Sequence, residues 1–190
     1  VSKIAINHPE PIGRGHFMSL TAEDVSRSAL EEANKLLDEC AAKISHCVNQ
    51  LSDEQIWWRP GASLNSIGNL ILHLCGNLQQ WIVSGIGGVA DTRQRPAEFA
   101  ERGPIPKSVL LEKLTQVVAA TKETLARSSP AELARERTIQ GFAVSGWGAV
   151  FHTIPHFNGH TQEIVCYTRM QLGDAYKFYW QPQTPEQGAG

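Results

Sequence analysis

Leu30, Ala33, Leu37, Cys40, Ile44, Cys47 and Leu51 follow one another at intervals of three and four residues. That is the repeat of a single helix face. It predicts a helix from Ala22 to about Leu51, with Thr21 as N-cap and Glu23 and Asp24 in the first turn. Ser52-Asp53-Glu54-Gln55 has the form of a capping box over one short turn, and Pro60-Gly61 breaks the chain. The same period returns from about Asn65 to Ser84 (Ile67, Leu70, Ile71, Leu74, Leu78, Trp81, Ile82), ended by Gly85-Ile86-Gly87-Gly88. It returns again over Lys107–Arg127 (Leu110, Leu114, Val117, Thr121, Leu125) and from about Trp147 to Leu172.

Residues 89–106 read as a polar loop, and Thr138–Val144 is the one stretch with extended character. Four long helices without a convincing sheet predict an all-α four-helix bundle. Residues 1–18 read as an irregular extension, 19–173 as the bundle and 174–190 as a tail. Met18 is a possible internal start, and the segment before it has no apolar stretch of the secretory kind.

Composition removes whole classes of function. A net charge of −2 and no cluster of basic residues argue against nucleic acid. No apolar run approaches the roughly 20 residues that span a bilayer. Cys40, Cys47, Cys75 and Cys166 form no Cys-x-x-Cys pair and read as reduced apolar fillers, which suits a cytoplasmic protein. Trp57, Trp58 and Trp81 read as core.

The chemistry lies in the last helix. His152, His156 and His160 recur every four residues on one helical face. Neighbours in such a row are roughly 6 Å apart and its ends roughly 12 Å, so either adjacent pair can share an ion but not all three. The apolar stripe is Val150, Ile154, Thr161, Ile164 and Thr168, with the histidines expected on the opposite side. That side carries Ala149, Gly159, Cys166, Tyr167 and Met170, with Glu163 as its only carboxylate. So uncharged a helix is expected to be buried twice, once in the bundle and once against a second subunit. Pro155 should bend the helix just before His156. In the second helix His73 lies between Leu72 and Leu74, and a metal would satisfy several buried imidazoles together.

Three stretches resemble the DinB/YfiT-like metalloprotein superfamily: Trp58-Arg59-Pro60 with Asn65-Ser66-Ile67-Gly68-Asn69-Leu70, His73 through Ile82, and His156 through Ile164. The resemblance implies a four-helix bundle, commonly a homodimer, with one divalent metal held by His73, His156 and His160. His152 is then left without a ligand role. It also implies a thiol-dependent reaction in some relatives, hence a low-molecular-weight thiol as one candidate for an unknown small-molecule substrate. The third stretch reads His160-Thr161-Gln162-Glu163, with an acid where the family usually has an amide.

Three protein ligands leave room for water, the pattern of catalytic sites. Zinc and nickel lead as candidates; iron, manganese and copper stay open. Glu163 shares the ligand face and has three candidate roles: orienting an imidazole, binding the metal or acting as base. Asn77, Gln80 and His152 are candidate pocket-lining residues. His8, His16 and His46 have no assigned role. There is no His-Glu-x-x-His, no paired Glu-x-x-His set and no Gly-x-Ser-x-Gly. Two classes remain: a metal-dependent hydrolase or thiol transferase, and a non-catalytic metal-binding bundle with a structural or partner-binding role.

Overall fold

A computed structural model describes residues 20–180. The chain runs α1 (Ala22–Asn49), α2 (Asp53–Trp57), α3 (Ile67–Leu78), α4 (Arg95–Ala100), α5 (Lys107–Arg127), α6 (Pro130–Ala134), β1 (Glu136–Ile139), β2 (Phe142–Ser145) and α7 (Gly146–Leu172). A π-helical turn, Gln79–Ser84, prolongs α3. Helix α1 starts at a capping box between Thr21 and Asp24, α2 at one between Ser52 and Gln55, and α3 at one between Ser66 and Asn69. Each box satisfies two of the donors that a helix start leaves open.

The four long helices close a ring in which α1 packs on α7, α7 on α3, α3 on α5 and α5 on α1. The expected stripes meet at its centre: Leu37 and Ile44, Leu70 and Leu74, Leu114 and Leu125, Val150 and Ile164 are all buried. Truncating one of the leucines to Ala costs about 2–5 kcal/mol at such sites. Among the described residues no helix is long and apolar enough to cross a membrane.

The extended character expected over Thr138–Val144 is present, and four further details depart from the sequence reading. Arg137–Val144 lies in a two-stranded antiparallel hairpin, closed by Gln140 and Gly141 at φ 53° and 81°. Two successive residues in the left-handed region form the turn that matches strand twist. Within the 89–106 loop stands α4, started by Pro96 in its first turn. Trp58 is exposed, unlike Trp81, and Cys166 is exposed, unlike the other three cysteines, all four being free thiols. Residues after α7 fold back on α1: Lys177 N donates to Gln50 Oε1 at 2.7 Å, and Lys177 O lies 2.6 Å from His46 Nε2. His8 and His16 lie outside the described residues.

Candidate metal centre

On α7 the buried row is Val150, Thr153, Ile154, Phe157, Thr161, Ile164 and Thr168. The histidines therefore occupy the flank beside α3, not the side opposite the core as the stripe alone suggested. The side truly turned outward carries Phe151, Pro155, Gly159, Gln162 and Cys166, all exposed. Helix α7 continues through Pro155, whose missing N–H falls on that outer side.

The flank of α7 and the buried face of α3 bring His73, His156 and His160 together, with one potential ligand atom from each lying within 4.8 Å of the others. The ring centroids are 4.6 to 5.3 Å apart. His73 Nε2 and His156 Nε2 face each other at 3.0 Å. Burial, then the neighbouring His160, His73, His152 and Arg93, push the His156 imidazole down to about 4. It is therefore neutral near pH 7, the form that can donate a lone pair.

Each outer imidazole is backed by a carboxylate. His73 Nδ1 lies 3.1 Å from Glu98 Oε2, and His160 Nδ1 lies 2.8 Å from Glu163 Oε2. An acceptor at Nδ1 fixes the proton there and leaves Nε2 for a metal. Arg93 Nη2 also reaches His73 Nδ1, at 3.1 Å, but a protonated Nδ1 cannot accept from it. The consistent pattern has Nδ1–H donating to Glu98, while Arg93 grips that carboxylate through Nε at 2.7 Å and Nη2 at 2.8 Å. Burial works to raise the Glu98 carboxyl, yet hydrogen bonds from Arg93 and His73 outweigh it and hold Glu98 below the usual range.

Arg93 and Glu98 were not among the residues the sequence singled out. They belong to the segment 89–106, which forms a strap over α3. Asn69 Nδ2 donates to the carbonyls of Glu98 (2.8 Å) and Glu101 (3.0 Å), and Arg59 Nη2 donates to Asn69 Oδ1 (2.6 Å) and to the Glu101 carbonyl (3.1 Å). Gly76 lets the ion pair seat: a Cβ there would lie 2.0 Å from Glu98 Oε1 and 2.8 Å from Arg93 Nε. Phe99 packs its ring against His73, centroids 4.9 Å apart. Pro96 in a helical first turn with an acid behind it was the one signal in the sequence for α4.

The remaining candidates sit around the centre. His152 stacks on Trp81 at 3.9 Å and lies 5.9 Å from His156 centroid to centroid, outside the convergent group. Asn77 is buried one turn beyond His73. Gln80 Oε1 accepts from Arg93 Nη1 at 2.9 Å and from the Gln140 amide, and its Nε2 donates to Asp91 Oδ2 at 2.6 Å. Gln80 thus ties strap and hairpin together. A cleft of about 720 Å³ runs between α3, the strap and α5, lined by Leu72, Cys75, Val117 and the backs of Arg93 and Glu98. None of the three histidines lines it. Solvent reaches them instead at His160 and Glu163, whose side chains are 25% and 33% exposed.

Three imidazoles with converging nitrogens, two of them oriented by carboxylates, fit a first-row divalent cation.

Solved structures share this architecture. A conserved protein from Enterococcus faecalis is similar at 17% identity and TM-score 0.65, over 75% of this chain and 96% of that one. A DinB-like protein from Bacillus cereus is similar at 16% identity and TM-score 0.61, over 80% and 97%. Another DinB-like protein, from Bacillus subtilis, is similar at 18% identity and TM-score 0.55, over 84% and 99%. No curated protein matches the chain. Residues 24–184 match a family model described as "Protein of unknown function (DUF1572)". With that match spanning most of its length, the chain belongs to the DUF1572 family and has the DinB-like helical fold.

Proposed function

We propose that this protein binds one divalent metal ion, zinc or nickel before iron, manganese or copper, through His73, His156 and His160. The observation that carries the reading is the convergence of three ring nitrogens from two helices within 4.8 Å. Surface histidines at helical spacing would not be met by a buried third imidazole with a largely buried carboxylate partner of its own.

The site reads as a metal-dependent hydrolase or thiol transferase acting on a small molecule. An ion held there would supply Lewis acidity to acidify water or a thiol. The chain's part is to orient the outer imidazoles through Glu98 and Glu163, to keep His156 neutral by burial, and to admit solvent beside His160. That opening favours catalysis over a purely structural ion, because a structural site is closed by protein ligands on every side. Glu163 faces Nδ1 of His160, the ring edge away from Nε2, so it serves the ligand and neither binds the metal nor acts as its base.

The outward face of α7 supports a second copy of this chain as partner. Phe151 and Met170 are 69% and 59% exposed there, and Gly159 between them faces open space, which lets another helix approach closely. Light scattering on untagged protein should give the dimer mass, and Phe151→Glu should give the monomer.

The deciding experiment is elemental analysis of untagged protein beside His73→Ala and His156→Ala. About one ion per chain, lost in both variants, supports the site and opens a screen of thiols, esters and amides. No ion after incubation with zinc or nickel removes the reading.

A further inference from the structure

Glu163 raises a physical difficulty that the metal reading does not resolve. Its side chain is 33% exposed, and among the described residues no Lys or Arg pairs with it. A glutamate in that position has rotamer freedom worth about 1–2 kcal/mol and water to turn towards. Yet its Oε2 is held 2.8 Å from His160 Nδ1. The other carboxylate of the site, Glu98, is held by the double grip of Arg93.

What holds Glu163 is the phenol one turn further on: Tyr167 donates from its hydroxyl to Glu163 Oε1 at 2.8 Å. His156, His160, Glu163 and Tyr167 stand at intervals of four, three and four along α7, a single row on the helix surface. Burial, then the bond to Glu163, push the Tyr167 phenol up to about 12, so it stays a protonated donor at any ordinary pH. Both Glu163 oxygens are committed, one to the phenol and one to the imidazole. The phenol is neutral and brings no counter-charge to this carboxylate. Arg93 cancels the charge of Glu98 on the opposite side.

We propose that Tyr167 is a positioning residue of the metal centre, acting on His160 through Glu163. This rests on the metal reading above. The pair fixes the Nδ1–H tautomer of His160, aims its Nε2 at the point shared with His73 and His156, and places the uncancelled negative charge of the site beside His160. A divalent cation offsets that charge. The ring of Tyr167 packs against the core and is kept in Tyr167→Phe, which removes only the hydroxyl bonded to Glu163.

The test is a double-mutant cycle on the full chain, read as zinc affinity by competition with a chromophoric chelator. Thermal unfolding of the metal-free proteins is measured alongside. Glu163→Ala should weaken zinc about 10- to 100-fold, the range for losing a partner of a ligand imidazole. Tyr167→Phe should weaken it about 3- to 10-fold with the metal-free melting temperature unchanged, a smaller share of the same effect. Glu163→Gln, whose one amide oxygen can still accept from His160 Nδ1–H while its NH2 faces the Tyr167 oxygen, should bind more tightly than Glu163→Ala. In Glu163→Ala, adding Tyr167→Phe should cause no further loss. Tyr167→Phe with wild-type affinity, or losses that multiply in the double variant, overturns the proposal while leaving the metal site standing. A Tyr167→Phe loss matched by a fall in metal-free melting temperature assigns the phenol to stability alone. Wild-type protein that takes up no zinc overturns both this proposal and the function it rests on.

Discussion

The two outer histidines of the candidate centre are supported in opposite ways. His73, with its side chain 7% exposed, leans on Glu98 from a separate segment, and Arg93 cancels that carboxylate. His160 leans on Glu163 three residues along its own helix, at the edge of solvent, with only a phenol behind it. One arm is non-local, buried and charge-neutral; the other is local, half-exposed and anionic. Local support needs only helical spacing. Non-local support needs a strap to be folded, clamped and seated on a glycine before it exists. The first arm is therefore tied to the stability of the bundle, whereas the second can change at little cost to the fold.

The largest difference between the two arms lies at Arg93. Arg93→Ala leaves Glu98 buried without its counter-ion, and removing one partner of such a pair costs about 3–5 kcal/mol. Urea unfolding should show that loss, with weaker zinc binding beside it. A loss under about 1 kcal/mol would mean that the strap holds without its ion pair.

Gly76→Ala comes next. Its Cβ would collide with Glu98 Oε1 and Arg93 Nε, and overpacking of this kind costs about 1–3 kcal/mol. Zinc affinity should fall although Gly76 touches no histidine. Unchanged affinity would separate the strap from the metal site.

Thiol labelling sharpens the same contrast. Cys166 on the outer face of α7 is exposed and should react first with an aromatic disulfide reagent. Cys75, beneath the strap, is buried and its thiol is pushed up to about 12 by that burial, so it should react only as the strap opens. Arg93→Ala should speed Cys75 labelling and leave Cys166 unaffected. Equal rates at both cysteines in the wild type would show that the strap does not seal α3.

The smallest effect belongs to the other arm. Glu163→Ala should change the metal-free unfolding free energy by no more than about 1 kcal/mol, the upper range for an exposed pair. Urea titration of the apo-protein checks it. A loss approaching that of Arg93→Ala would erase the distinction between the arms.

The bundle was legible because helical burial leaves a periodic trace. Leu110, Leu114, Val117, Thr121 and Leu125 announce α5, and all are buried. The row His152, His156 and His160 was legible for the same reason, and so was Glu163 as a residue of their face, whereas the choice of 156 and 160 over 152 and 156 came from the family resemblance. The motif Trp58-Arg59-Pro60 with Asn69 was visible as a pattern, but its purpose was not. Arg59 and Asn69 clamp carbonyls of Glu98 and Glu101, 29 to 42 residues downstream in the chain. Gln80 looked like a lining residue and is a tie between strap and hairpin.

Helical periodicity in the chain specified four helices, most of their buried stripes and a histidine row with an acid in register, because all of these repeat at the period of the helix. The placing of α7 between α1 and α3, of the histidines on the flank facing α3, and of Arg93 and Glu98 behind His73 came from the folded arrangement alone. Those choices depend on contacts between residues far apart in sequence. A contact of that kind leaves no periodic trace: an arginine and a glutamate in a polar loop read as solvated until the helix they cover is in place.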